Sequence, residues 1–376
     1  MRMWPLYAAG FTTAFGAHAI AANLGGATSL IMLGALLALY DGAEVLLKPI
    51  FGSLADRIGL RPVLLGGLVA FAAASAVYVL ADDPGWLWAA RLGQGAAASA
   101  FSPSASALVA RLNPAAKHGR AFGSYGFYKS IGYTLGPLLG AVLVWAGGLW
   151  LLFLVMTVMG VAVAIWAAVA VPSVPPLPKT RQTVVDLARR LADPAFLGPT
   201  SALAAATAAL SVAVGFLPVL GREAGLGVIA TGAAVSVLAL CAALVQPRTG
   251  RLLDEGRLST RTGVFAGLLL TTAGLAAVVL PGLAGILASA VLTGVGTGLI
   301  TPLAFAALAA STPEARLGQT MGTAELGREL GDAGGPLLVA GVASLAGLTA
   351  GFGVLALLLA GRAVLSRPAS RRSRST

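Results

Sequence analysis

Pro49-Ile-Phe-Gly52-Ser-Leu54-Ala-Asp56 returns 198 positions later as Pro247-Arg-Thr-Gly250-Arg-Leu252-Leu-Asp254, with proline, glycine, leucine and aspartate in the same order. Farther along, Gly123, Gly132, Gly136, Pro137 and Leu138 return as Gly322, Gly331, Gly335, Pro336 and Leu337 at a spacing of 199, which Pro103 and Pro302 also keep. Chance matches in a chain rich in glycine and alanine do not hold both residue type and order. A register kept over most of each half means a duplicated bundle, the copies lying parallel about one axis, with a site expected midway between them. The break falls at residues 172–195, where Pro172, Pro175, Pro176 and Pro178 precede a short basic amphipathic stretch from Thr183 to Leu191. This reads as a cytoplasmic linker with an interfacial helix. The expected domains are residues 1–171 and 196–366, followed by a basic tail over 367–376.

Composition says what the copies are made of. Hydrophobic residues fill 57% of the 376 positions and charged ones 10%, against about 25% charged in soluble domains. A soluble protein is excluded. Crossing about 30 Å of hydrocarbon takes a helix of roughly 20 residues, and the chain divides into spans near 5–25, 29–54, 62–81, 86–110, 119–146, 149–171, 196–220, 226–250, 260–281, 283–310, 317–345 and 348–366. Apolar runs of this length are not the ten-residue alternations of a membrane β-barrel. Glycine and proline inside them are compatible with packed membrane helices. The fold class is therefore an all-α membrane protein, with twelve transmembrane helices in two pseudo-symmetric six-helix bundles.

The net charge of +11 raises nucleic acid as a partner, but its location points elsewhere. Arg57, Arg61, Arg111, Lys117, Arg120, Arg248, Arg251, Arg257, Arg261 and Arg316 lie in loops on one side. Arg2, the linker and the tail add to that side, whereas Arg222 stands alone on the other. Positive charge marks the cytoplasmic face, so both termini are expected there, in a multi-pass protein of a bacterial-type inner (plasma) membrane. The basic tail then lies on anionic headgroups. The first helix reads as a retained span rather than a cleaved signal. Cys241, the single cysteine, falls inside a span, which excludes disulfides and a cysteine metal site. With two histidines, His18 and His118, and no phosphate-binding loop or catalytic constellation, no cofactor, metal or enzyme activity is expected.

Three motifs sharpen this reading. Gly52-Ser-Leu-Ala-Asp56-Arg57-Ile-Gly59-Leu-Arg61 resembles the signature between helices two and three of the major facilitator superfamily (MFS). Leu60 stands where that family usually has a basic residue. Physically, Gly52 allows close packing, and Asp56 can receive Arg57 or Arg61 or face the positive end of a neighbouring helix. The resemblance implies a lock on the cytoplasmic gate. Arg91-Leu-Gly-Gln94-Gly95 resembles a second motif, whose arginine is implicated in proton coupling in drug/proton antiporters; the competing reading is an arginine snorkelling to the headgroups. Gly123, Gly132, Gly136, Pro137 and Gly140 resemble the antiporter motif of helix five, with Ala141 in place of its last glycine. Small residues there permit a close contact, read as a packing surface for the moving gate, and Pro137 introduces a bend.

Charges inside the spans complete the set. Asp41, Glu44 and Lys48 share one face of helix two, and Glu325, Arg328, Glu329 and Asp332 one face of helix eleven. In the MFS fold these helices meet between the halves. Counting roughly 1.5 Å per residue from the cytoplasmic ends puts Lys48 with Glu325 and Glu44 with Arg328 at matched depths, so a Glu44–Arg328 ion pair is expected in the cytoplasm-closed state. A charge at mid-bilayer costs about 2.5–3.5 kcal/mol. The group is therefore either a structural salt-bridge seam or, as favoured, a gate or proton site whose pairs break and re-form. Lys129 and its repeat mate Arg328 could clasp an anionic substrate or only neutralise the neighbouring acids. His18 and Asn23 are further binding candidates, and His18 reads more readily as a packing residue than as a relay. The resemblance implies a monomeric, proton-coupled exporter of small organic molecules or drugs, working by alternating access. An organic-anion exchanger or symporter using Lys129 and Arg328 is the alternative; a membrane receptor or membrane enzyme of the same shape is less favoured.

Overall fold

Backbone geometry at a few glycines cuts the apolar sequence into helices. The computed structural model describes residues 3–23, 30–80, 85–175, 192–226 and 228–367. Its first helices are α1 (Trp4–Asn23), α2 (Leu30–Ile58), α3 (Leu60–Leu80) and α4 (Trp86–Arg111). The helical stretch His118–Ala170 breaks at Gly147 (φ −160°, ψ 24°) and Gly148 (φ 66°, ψ −170°), which gives α5 (118–146) and α6 (149–170). The second value lies in the left-handed region open chiefly to glycine. Then follow α7 (Pro194–Glu223), α8 (Val228–Asp254), α9 (Thr260–Ala276), α10 (Gly282–Ala310), α11 (Leu317–Ala346) and α12 (Leu348–Leu365). Where polar residues start helices they do so as caps: the Asp193 carboxylate accepts from Ala195 N and the Ser259 hydroxyl from Thr262 N. The interfacial helix expected at Thr183–Leu191 and the tail beyond Arg367 lie outside the described residues.

Among the described residues, seven helical segments, one of them the α5–α6 stretch, are long and apolar enough to cross a membrane by length and composition alone. α1, α2, α4 and α11 carry polar and charged residues along their length: Thr12, Thr13 and His18; Asp41, Glu44 and Lys48; Arg91, Gln94 and a run of serines; Glu325, Arg328 and Glu329. Several buried hydroxyls on such helices are satisfied within the helix, as where Thr13, Ser99 and Ser104 donate to the carbonyls of Ala9, Gly95 and Ala100.

The packing repeats as the sequence does. α1 lies along α5 as α7 lies along α11, and α2 and α3 flank α4 as α8 and α9 flank α10. One hydrophobic core gathers around Phe71, Phe101 and Phe153, and a second around Leu238, Leu268, Ile300 and Phe352. The first core continues across the halves, where Phe122 of α5 stacks on Phe305 of α10 with centroids 5.6 Å apart.

The halves close on each other at the end that carries the α2–α3, α4–α5, α8–α9 and α10–α11 loops, here called the basic end. Glycines set the approach. A Cβ on Gly52 would lie 2.5 Å from Gly318 O, and one on Gly119 would lie 2.4 Å from Gly250 O. The helix-five motif divides differently from its expected role. Only Gly123 meets the other half, at Gln246 O, while Gly132, Gly136 and Gly140 press on Phe11, Phe15 and Ala19 of α1 within their own half. Their repeat mates Gly331 and Gly335 press likewise on Ala204 and Ala208 of α7. Most of this motif therefore seals a bundle rather than a moving gate.

Candidate transport site

Two carboxylates hold the basic end shut. Asp56, at the end of α2, accepts from Gly318 N at 2.8 Å and Gln319 N at 2.7 Å, at the first turn of α11. Asp254, at the end of α8, accepts from Gly119 N at 2.8 Å and Arg120 N at 2.9 Å, at the first turn of α5. Each carboxylate takes up orphan donors at a helix start and faces the positive end of the macrodipole. Of the partners open to Asp56 from sequence, the helix terminus is thus made. Arg61 donates to Ala168 O at 2.6 Å, Arg57 is exposed, and Gly59 (φ 110°) forms the turn between α2 and α3.

Deeper between the halves lies the charge cluster. Lys48 Nζ, 1% exposed, donates at 2.5 Å to Glu44 Oε2, one turn away on α2, and at 2.6 Å to Glu329 Oε1 on α11. Glu325, fully buried, has Arg328 Nη1 at 3.1 Å, Lys129 Nζ of α5 at 3.4 Å and the Ser106 hydroxyl of α4 at 3.5 Å. Arg328 Nη2 also reaches the Tyr133 hydroxyl at 3.4 Å. Asp41 and Asp332 are exposed, each about one turn beyond these groups, and neither makes an ion pair among the described residues.

The expected Glu44–Arg328 pair is replaced by Lys48–Glu329 and Lys129–Glu325. Opposite charges on the two helices meet within a turn of the expected level, but azimuth decides the partner. Glu329 turns toward α2, whereas Arg328, 100° back around α11, turns toward α5.

Arg91 does not snorkel. It is 1% exposed, its guanidinium lies 4.3 Å from the Tyr40 ring centroid, and Nη1 donates to Gln94 Oε1 at 3.5 Å. Gln94 in turn donates to Ser75 Oγ at 2.8 Å, and a Cβ on Gly95 would lie 2.5 Å from Tyr40 O. This second motif therefore locks α4 onto α2 and α3 and backs the charged face of α2.

A cleft of about 50 Å³ opens beside the cluster, its wall including Lys129, Arg328, Glu325, Tyr133, Phe122 and Gln246. His18 and Asn23 stand outside this lining. His18 Nδ1 lies 3.2 Å from Ala14 O with its ring edge-on to Tyr133, and Asn23 donates to Ala19 O and Pro137 O. The residues that sequence reasoning missed are Gln246 and Ser130, where Gln246 Nε2 donates across the halves to Ser130 Oγ at 2.8 Å. The duplicated register could have found them. Gln246 stands 198 positions after Lys48, and Glu329 199 after Ser130, so this bond is the neutral counterpart of Lys48–Glu329.

The profile described as Major Facilitator Superfamily matches residues 4–257 and 200–376. The chain belongs to this superfamily. Its fold is shared with the human organic anion transporter MFSD10 (TETRAN), at a TM-score of 0.83 and 18% identity over 97% of this chain and 99% of that one. It is shared also with FucP, a superfamily transporter solved in the outward conformation, at a TM-score of 0.80 and 12% identity over 98% and 99% of the two chains. Among curated relatives, it is 33% identical over 160 residues to a probable actinorhodin transporter of Streptomyces coelicolor, 42% of this chain and 27% of that protein. It is also 33% identical over 111 residues to the multidrug resistance protein MdtH of Shigella boydii, 30% and 28% of the two chains. The superfamily member thus spans about a quarter of the length of the curated relatives it matches. Family and fold are those of multi-pass membrane transporters of small molecules, not of enzymes.

Proposed function

We propose that this superfamily member is a proton-coupled transporter of small organic molecules that works by alternating access, in the direction of export. The observation that carries this reading is the division of labour at Lys48. Within α2, Glu44 remains its partner whatever the halves do, so parting them never strands the lysine; it strands Glu329. A carboxylate left alone in a low-dielectric setting must be hydrated or protonated, which ties the protonation of Glu329 to which end is open and makes it the coupling group, with Lys48, Glu44, Asp41, Asp332 and Arg328 setting its field. Fixed structure would be built more simply from apolar packing than from buried pairs. From the placement of the basic loops, the closed end is cytoplasmic, so the conformer described here faces outward. Export is supported by the resemblance of the helix-five glycines to the antiporter motif and by the name multidrug resistance protein that one relative carries.

A second reading concerns the cargo. Among the described residues Arg328 and Lys129 share Glu325 as their ion-pair partner, leaving one surplus positive charge at the cleft and favouring an anion as substrate. The test of the main reading is flux in proteoliposomes under an imposed pH gradient, with lipophilic cations and small organic anions as candidate cargo. Substrate should move against the proton flow and stop when the gradient is collapsed; flux indifferent to the gradient would refute the coupling.

A further inference from the structure

The argument that strands Glu329 when the halves part also strands two groups at the cleft. Arg328 keeps Glu325, three residues away on its own helix, at 3.1 Å. Lys129 of α5, which reaches the same carboxylate from the other half at 3.4 Å, loses its one ion-pair partner among the described residues. Gln246 of α8, 4% exposed, loses Ser130. Even in the closed conformer, Gln246 Oε1 is buried without a hydrogen-bond partner among the described residues. It is seated over Gly126, where an added Cβ would collide with it. That seating orients the amide, because a Cα–H favours a carbonyl oxygen over an N–H. The cleft wall also holds the stacked rings of Phe122 and Phe305, with Tyr125 and Tyr133.

We propose that this cleft takes an aromatic organic anion that also carries a hydrogen-bond donor, with Lys129 receiving the acid, Gln246 Oε1 the donor, and the ring stacking on Phe122 or Phe305, which the same parting unstacks from each other. The chemistry of each contact is independent. An ammonium freed from its carboxylate selects an anion over a cation. An orphaned buried carbonyl penalises any ligand that leaves it unpaired. A wall of rings stacks on a ring. The cleft as it stands, at about 50 Å³, holds a few waters and not a benzene ring. Occupancy therefore accompanies the parting that frees Lys129 and Gln246. This proposal rests on the alternating-access reading for the moment of binding, but it makes a claim about affinity that transport assays alone do not decide.

The test is direct binding to the purified full chain in nanodiscs, with 4-hydroxybenzoate, benzoate and tetraphenylphosphonium as probes. The expected order is 4-hydroxybenzoate about tenfold tighter than benzoate, with tetraphenylphosphonium unable to displace either. Gln246→Leu should collapse the ratio of the two anion affinities to about one, and Lys129→Gln should weaken both anions by about tenfold or more. Melting curves establish that the variants are folded. Equal affinity of the wild-type protein for the two anions, or preference for the cation, overturns the proposal without recourse to any variant. Anion binding in the expected order without pH-driven flux would sink the coupling reading and leave this one standing; proton-driven flux of the cation would do the reverse.

Discussion

Lys48 is the residue on which two acids from different halves converge. Removing it leaves Glu44 and Glu329 buried or half-buried with no ion-pair partner among the described residues, a loss that in buried pairs costs about 3–5 kcal/mol. Lys48→Met is therefore expected to lower the melting temperature in detergent sharply. Adding Glu44→Gln and Glu329→Gln should restore much of it, because no charge is then stranded. If the triple variant melts no higher than the single one, the lysine is stabilising through its stem and not through its charge. The presence of these charges was legible in the sequence, since i, i+3 and i+7 spacing fixes a common face. Their partners were not, because side-chain azimuth relative to a neighbouring helix depends on how that helix is rotated.

At the scale of elements, the repeated Pro-x-x-Gly-x-Leu-x-Asp turns out to be one device used twice, α2 against the start of α11 and α8 against the start of α5. Asp56→Asn and Asp254→Asn each remove a charge from a helix terminus, worth about 1–2 kcal/mol in partly buried geometry. The two clamps share no hydrogen-bond partner in these contacts, so their effects should add. The expected outcome, on a background lacking Cys241, is that a cysteine at Thr320, 2% exposed, becomes reactive from the basic side more in the double variant than in either single one. Equal reactivity in single and double variants would mean that one clamp holds the whole end. Helix five gives a contrasting expectation. A Cβ on Gly136 would already lie 3.0 Å from Phe15 O, so Gly136→Val should lower the melting temperature by prying α1 from α5, while leaving Thr320 cysteine unreactive in the protein that stays folded. From sequence, the small-residue face of this helix was visible. That most of it faces its own bundle was not, because a stripe of glycines says that something approaches and not what.

For the molecule as a whole, the decisive prediction is at Glu329. Glu329→Gln keeps a hydrogen-bonding group for Lys48 and removes the titration. It should preserve counterflow of substrate between equal pH on both sides and abolish accumulation driven by a pH gradient; retained gradient-driven accumulation would move the coupling proton to Asp41, Glu44 or Asp332. The duplicated packing was readable from the 198- and 199-residue registers, because closely packed glycines and helix-end aspartates tolerate few substitutes. The asymmetry laid over it was less plain. Gln246 and Ser130 stand where Lys48 and Glu329 stand in the other copy, and neutral residues draw no notice until the register is used to look for them.

The charge cluster has an electrical consequence. Asp41, Glu44, Glu325, Glu329 and Asp332 are five acids against the four cations Lys48, Arg91, Lys129 and Arg328, so on the alternating-access reading proposed above the unloaded carrier, with all of them ionised, would hold one uncompensated negative charge within the membrane's field. When access switches sides, that charge changes its position in the voltage drop, and a full crossing is worth about 2.3 kcal/mol per 100 mV. A proton on Glu329 cancels it. The return of the empty carrier should therefore speed up or slow down with membrane potential, while the proton-loaded step stays electrically silent, and transient currents from oriented protein on a solid-supported membrane would separate the two.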